Sequence, residues 1–249
     1  MKAMIFAAGL GTRLRPLTDK TPKALIEIGG KPLLYHVVEK LKSAGIDEVV
    51  VNVHHLAEQI TDYIKSQNDF GIKVDISDES YLLRDTGGGI SYARDFLEGS
   101  PFLVHNVDII SDLNLNWFIS QARPDALSNI LVSERKTQRY LLFDDEMRMV
   151  GWTNLATGEV KTPFYGLNLS KCRKYAFDGI HFISDGIFKV FDDHGWNGKF
   201  SIMDFYIREC KANVIHGIIP EHLNILDVGK METLPKAEAM IKNITHINI

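Results

Sequence analysis

MIFAAGLGTRLRPLTDKTPK, residues 4–23, decides the fold. Residues 4–8 are a continuous apolar run, as expected of a strand buried on both faces. The chain then passes directly into a long loop of Gly, Thr, Pro and charge. Working outward, strand-like and helix-like patterns alternate over the first 110 residues. Residues 32–44 carry Leu33, Leu34, Val37, Val38 and Leu41 at helical spacing, with Pro32 suited to a first turn and Gly45 to the stop. Residues 47–53 predict a second buried strand, 56–66 a helix, 73–76 a third strand, 90–97 a helix after glycines, and 101–107 a fourth strand. Strands separated by helices of this length imply right-handed crossovers and a mostly parallel sheet.

Residues 126–161 differ. Runs at 130–132, 140–143 and 149–152, split by Asp144-Asp145 and Thr157-Gly158, predict hairpins that form a smaller β-rich lobe. Residues 179–183 and 214–219 predict further strands, and 233–244 a closing helix. The expected class is α/β: a Rossmann-like, mostly parallel sheet sandwiched by helices, with that small lobe on it. One domain over 1–249 fits the length, since a chain of this size buries about 70–75% of its unfolded surface without staples.

Composition narrows the function. Lys plus Arg number 28 and Asp plus Glu 32, a net charge of −4, which argues against nucleic acid as a partner. Hydrophobic residues at 45% and charged residues at 24% are globular values. Cys172 and Cys210 are isolated, with no CxxC, so neither a disulfide framework nor a structural zinc is expected. They read as reduced thiols of a cytoplasmic protein. The N-terminal apolar run is too short for a signal-peptide core, and no 18-residue apolar stretch predicts a membrane span. The oligomeric state is left open.

Three constellations carry chemistry. In the first, Ala8-Gly9-Leu10-Gly11-Thr12-Arg13, closed by Thr21-Pro22-Lys23, follows a buried strand. Glycines there let main-chain N–H groups approach phosphate oxygens, and Arg13, Lys23 and the Thr12 hydroxyl add charge and a hydrogen bond. Neither familiar phosphate loop fits: Leu14 stands where the dinucleotide fingerprint needs a third glycine, and Gly30-Lys31 is followed by Pro32. The second is Asp85-Thr86-Gly87-Gly88-Gly89-Ile90, which on its own also suits a flexible hinge. The third is a pair of carboxylates at predicted strand ends, Asp108 after FLVHNV and Asp227 after HLNIL. Strand C-termini of an open parallel sheet face the ligand crevice. Two carboxylates there suit Mg²⁺, which keeps water and phosphate as its other ligands. Either aspartate alone would equally suit a helix or turn cap.

Gly9 through Lys23 resembles the signature G-x-G-T-R-L-x-P-L-T…P-K of the sugar-1-phosphate nucleotidyltransferases, matching every position. The Thr-Gly-Gly-Gly-Ile form is most similar to the bacterial N-acetylmuramate-1-phosphate uridylyltransferases. The resemblance implies a nucleoside triphosphate, UTP, and a sugar 1-phosphate, N-acetylmuramate 1-phosphate, as substrates. It implies Mg²⁺ on Asp108 and Asp227, with Arg13 and Lys23 on the phosphates and Ala8 to Thr12 wrapping them. It further implies Gly87 and Gly88 along the base, Asn106 on the nucleotide, and Gly179 of Phe177-Asp178-Gly179-Ile180-His181 under the sugar. Residues 1–125 would then be the nucleotide half and 126–249 the sugar-phosphate half. Glu159-Val160-Lys161 resembles a Glu-Lys pair of some relatives. Val107 stands where the family has glycine, which places the local loop geometry in doubt, and Lys230 where threonine is common. Mannose-1-phosphate guanylyltransferase, a transferase for phosphocholine or another non-sugar phosphate, and a non-catalytic nucleotide-binding module stand as alternatives.

Overall fold

The computed structural model describes residues 1–247, with side chains to residue 243. Its strands are β1 (Lys2–Phe6), β2 (Glu27–Ile28), β3 (Lys31–Pro32), β4 (Glu48–Val53), β5 (Lys73–Asp78), β6 (Phe102–Asn106), β7 (Ile109–Ser111), β8 (Ser128–Ser133), β9 (Arg139–Phe143), β10 (Met149–Asn154), β11 (Glu159–Lys161), β12 (Arg173–Ile183), β13 (Ile215–Ile218) and β14 (Ile225–Asp227). The helices are α1 (Leu33–Ser43), α2 (Ala57–Ser66), α3 (Asp85–Tyr92), α4 (Arg94–Leu97), α5 (Leu115–Ser120), α6 (Gly186–Asp193), α7 (Ile202–Glu209) and α8 (Leu234–Ile247).

The main sheet runs β11-β10-β9-β12-β6-β1-β4-β5, with β8 and then β13 branching from β12. The half β6-β1-β4-β5 is parallel. From β12 onward the pairing with β6, β8 and β9 is antiparallel, so the sheet as a whole is mixed rather than mostly parallel. The hairpins of residues 126–161 are continuous with the sheet: eleven-residue β12 pairs with β9 at its start and with β6 at its end, joining the lobe to the parallel half. That continuity follows from length, because β12 is twice an ordinary strand.

Period-two alternation along the buried strands feeds two cores, one on each face of the sheet. Ala3 and Ile5 face the core filled by α1, α2, α5 and α8. Met4 faces the other, filled by α3, α4, α6 and α7 through Ile90, Leu97, Phe188, Phe205 and Tyr206. The expected helix at residues 90–97 instead begins at Asp85 and breaks at Ala93, so the three glycines lie inside α3. The expected long loop carries three short 3₁₀ turns at Thr12–Leu14, Leu17–Asp19 and Lys23–Leu25. Cys172 and Cys210 are free thiols. Among the described residues no helix is long and apolar enough to cross a membrane.

Candidate active site

The C-terminal ends of β1, β4, β5 and β6 open into a cleft of about 460 Å³. Ala8, Gly9, Leu10, Gly11, Thr12, Arg13, Lys23, Asn106 and Asp108 all line it. β1 stops at Phe6 because the next two N–H groups leave the ladder: those of Ala7 and Ala8 donate to Asn52 Oδ1 at 2.8 and 3.3 Å. Asn52 in turn donates to Glu79 Oε1 at 2.8 Å, and Arg84 N–H donates to Glu79 Oε2 at 2.9 Å. Both residues are buried and line the cleft floor. Sequence reasoning passed over them, although an Asn inside VVVNV is itself a signal, since a buried amide needs partners.

Beyond Ala8 the N–H groups of Gly9, Leu10 and Gly11 have no protein acceptor among the described residues. Gly11 adopts a left-handed φ of +62°, and a Cβ there would stand 2.7 Å from Thr18 Cγ2. The Thr18 hydroxyl donates to Gly11 O at 2.8 Å and locks the turn. The loop is thus a preformed row of free donors, the arrangement that receives anions.

Lys23 is buried and its ammonium forms an ion pair with Asp108. Asp227 reaches the same place from far along the chain, because β14 pairs antiparallel with β7 and sets Asp227 opposite Ile109. The Val228 N–H donates to Asp108 O at 2.8 Å, tying the two aspartate segments together. Surrounding protein raises the Asp227 carboxyl above its ordinary value by desolvation and then by the charge of Asp108, while Lys23, Arg13 and Arg135 pull it back. Asp108, Asp227, Lys23 and Arg13 therefore lie within one electrostatic neighbourhood. Gly229 lines the cleft between Asp227 and Arg13: a Cβ on it would stand 2.6 Å from Asp227 Oδ1 and 2.7 Å from Arg13 Nη2. Among the described residues no group of three or more His, Cys, Asp or Glu forms a metal cage.

Gly87 and Gly88 are placed differently from the expectation. Their N–H groups donate to Phe200 O at 2.9 and 3.1 Å and are not free to read a base. A Cβ on Gly87 would overlap the Phe200 ring, and one on Gly88 would overlap Gly198 O. These glycines serve close packing of α3 on residues 198–202, and the cleft wall there is Leu83, Asp85 and Thr86 instead. Gly179 sits at a bulge in β12 with φ +74°, buried under Asn106, whose Nδ2 lies 2.9 Å from where a Cβ would be. It supports Asn106 rather than lining the cleft. His105 Nδ1 bonds Asn106 O at 2.8 Å from the other side.

Val107 is buried and is not among the residues of positive φ, so the valine fits without backbone strain. Lys230 is exposed and points to Glu232 at 3.4 Å. His54, next to His55 at the end of β4, bonds Glu79 O at 2.6 Å. Lys161 lies outside the cleft, over the Trp152 ring at 5.4 Å.

Residues 2–140 match the family described as Nucleotidyl transferase. The N-acetylmuramate alpha-1-phosphate uridylyltransferase of Caulobacter vibrioides is 31% identical over 246 residues, 96% of this chain and 96% of that one. The chain belongs to the nucleotidyl transferase family. This nucleotidyltransferase also resembles the probable mannose-1-phosphate guanylyltransferase 2 of Arabidopsis thaliana, 43% identical over 127 residues, 48% of this chain and 35% of that protein. A putative glucose-1-phosphate thymidylyltransferase structure from Bacillus anthracis superimposes with a TM-score of 0.80 at 19% identity, over 98% of this chain and 96% of that chain. At that identity the likeness establishes the fold. Family membership makes the protein an enzyme that transfers a nucleotidyl group, and sets aside the non-catalytic alternative.

Proposed function

We propose that the enzyme joins UTP and N-acetylmuramate 1-phosphate into the UDP-sugar with release of pyrophosphate. Arg13, Lys23 and Asp108 on one cleft, with Asp227 close enough at its margin to feel the charge of all three, support the chemistry. The sugar and base rest on one observation: the uridylyltransferase relative matches along 96% of both chains, whereas the guanylyltransferase match spans only 48% of this one.

The attacking group is an oxygen of the sugar 1-phosphate, already anionic at neutral pH, so no protein nucleophile is required. It attacks the α-phosphorus, and pyrophosphate departs in line. The protein supplies position and charge. Free N–H groups of Gly9, Leu10 and Gly11, with Arg13 and Thr12, hold the β- and γ-phosphates. Lys23, held against Asp108, stands where charge builds between the reacting phosphates. Asn106, braced by Gly179 and His105, contacts the nucleotide. Two neighbouring carboxylates without a third protein ligand fit Mg²⁺, a hard cation that retains water and phosphate oxygens. Asp108 and Asp227 would hold it. When bound, the ion neutralises phosphate charge.

The test is a mass-resolved product screen of the four ribonucleoside triphosphates crossed with sugar 1-phosphates that include N-acetylmuramate and mannose. UDP-N-acetylmuramate as the dominant product is expected. GDP-mannose would favour the guanylyltransferase reading instead.

A further inference from the structure

A separate cavity, of about 530 Å³, shares no lining residue with the nucleotide cleft. Its floor is one face of the antiparallel strands β9, β10 and β11. Register sets Leu141 opposite Trp152, Arg139 opposite Asn154, Trp152 opposite Lys161, and Asn154 opposite Glu159. Cross-strand partners share a face, and these six residues line the cavity together. Asp204 of α7 lines the opposite wall. A sheet face beneath a helix ordinarily presents apolar side chains to it. Here an indole, an amide and charged groups stand among Leu141, Phe177, Met203 and Ile207, and convergent polar groups set in an apolar lining are what orient a ligand.

The charges are unequally committed. Lys161 pairs with Glu159 at 3.7 Å. Arg135, at the cavity edge, donates through Nε to the buried Asp178 at 3.2 Å and through Nη2 to Phe177 O at 3.0 Å. Arg139 has no ion-pair partner among the described residues. Arg135 also links the two cavities, being near enough to Asp227 to favour its ionised form.

This face lies in the half of the chain that the resemblance gives to the sugar phosphate, and we propose that within it Arg139 selects a sugar bearing a carboxylate. Asp204 accepts from a hydroxyl or amide N–H, and the uncommitted guanidinium takes the acid group. The inference rests on the reading of the enzyme as a sugar-phosphate nucleotidyltransferase and adds to it the residue that sets the substrate class.

The test compares N-acetylmuramate 1-phosphate with N-acetylglucosamine 1-phosphate, which lacks only the carboxylate-bearing ether, in wild type and in Arg139→Gln. The variant is expected to lose about 10- to 100-fold in kcat/KM for the acidic sugar, the worth of a charge-assisted hydrogen bond. Its kcat/KM for the neutral sugar stays within about 3-fold, since the change removes only a group that the neutral sugar does not use. Equal losses on both sugars, or an unchanged preference, would overturn the assignment. Calorimetric titration with N-acetylmuramate 1-phosphate reads the same difference without turnover, and equal affinity of the two proteins would also overturn it. Tight wild-type binding without UDP-sugar formation would sink the proposed reaction while leaving Arg139 in place. Efficient turnover of the neutral sugar with no preference for the acid would do the reverse.

Discussion

Gly229→Ala separates catalytic geometry from stability. Gly229 is not a residue of positive φ, so an alanine backbone is tolerated there. The added methyl would stand 2.6 Å from Asp227 Oδ1 and 2.7 Å from Arg13 Nη2. Favourable heavy-atom separations are about 3.5 Å, so each group must retreat by roughly 0.8 Å. Both are tips of rotatable side chains, and the relief costs the fold little, on the order of 1 kcal/mol. The reaction suffers more, because a misplacement of about 1 Å in a reacting array costs roughly 10²-fold, or about 2.7 kcal/mol of barrier. Steady-state pyrophosphate release should fall about 100-fold in kcat/KM while the Tm moves by only a few degrees. Gly45→Ala supplies the opposite signature: φ is +77° with open space around the site, so about 1 kcal/mol of stability is lost and turnover per folded molecule is retained. A Gly229→Ala enzyme within 3-fold of wild type would mean that neither Arg13 nor Asp227 has to hold its place.

Lys23→Ala removes the buried cation paired with Asp108; about 10²–10³ in kcat should be lost, with an unaltered far-UV spectrum as the check on folding. Asp108→Asn should abolish magnesium-dependent pyrophosphate release, and full turnover in that variant would take Asp108 out of the mechanism. His105 and His181 are wholly buried, and burial lowers them to about 4 and about 3, so both are neutral in the fold. The unfolded chain takes up their protons below about pH 6.5, hence stability falls as pH drops below that value, by about 1.4 kcal/mol per pH unit for each histidine. His181→Gln lacks one of these terms. The stability gap between wild type and variant in urea titrations should narrow by about 2 kcal/mol between pH 6.5 and 5, and a constant gap would contradict a neutral His181.

The parallel half was legible because each of its strands is buried on both faces and each intervening helix repeats its apolar residues on one side. The errors there are local and have causes. The first strand was read two residues too far because Ala7 and Ala8 are apolar yet give their N–H groups to Asn52. The helix at Asp85 was read late because glycines disfavour helices, whereas here packing on Phe200 demands them. Further along, α6 and α7 went unread, although Ile187, Phe188 and Phe191 on one and Ile202, Phe205 and Tyr206 on the other fill a core. β12 was seen only from Gly179 onward, since its first half begins Arg173-Lys174 at an exposed edge of the lobe. Asn52, Glu79 and Arg135 act through partners distant in sequence, and no spacing rule announces such partners.

The Asp-Val-Gly motif was readable as a unit because its three residues do three separate jobs within one turn of chain. Asp227 brings its carboxylate beside Asp108. Val228 is fully buried, and its N–H grips the Asp108 carbonyl, so the spacing between the two aspartate segments is fixed by a main-chain bond and a core contact rather than by the side chains themselves. Gly229 clears the space into which Arg13 reaches from the glycine loop. Each job constrains a different atom: a carboxylate oxygen, an amide hydrogen with a core-filling side chain, and an absent Cβ. A carboxylate pair brought together in this way would repel if left to itself. Fixing the repulsion in the backbone, with Lys23 and Arg13 placed against it, keeps both acids poised for a cation without requiring the fold to supply a third ligand.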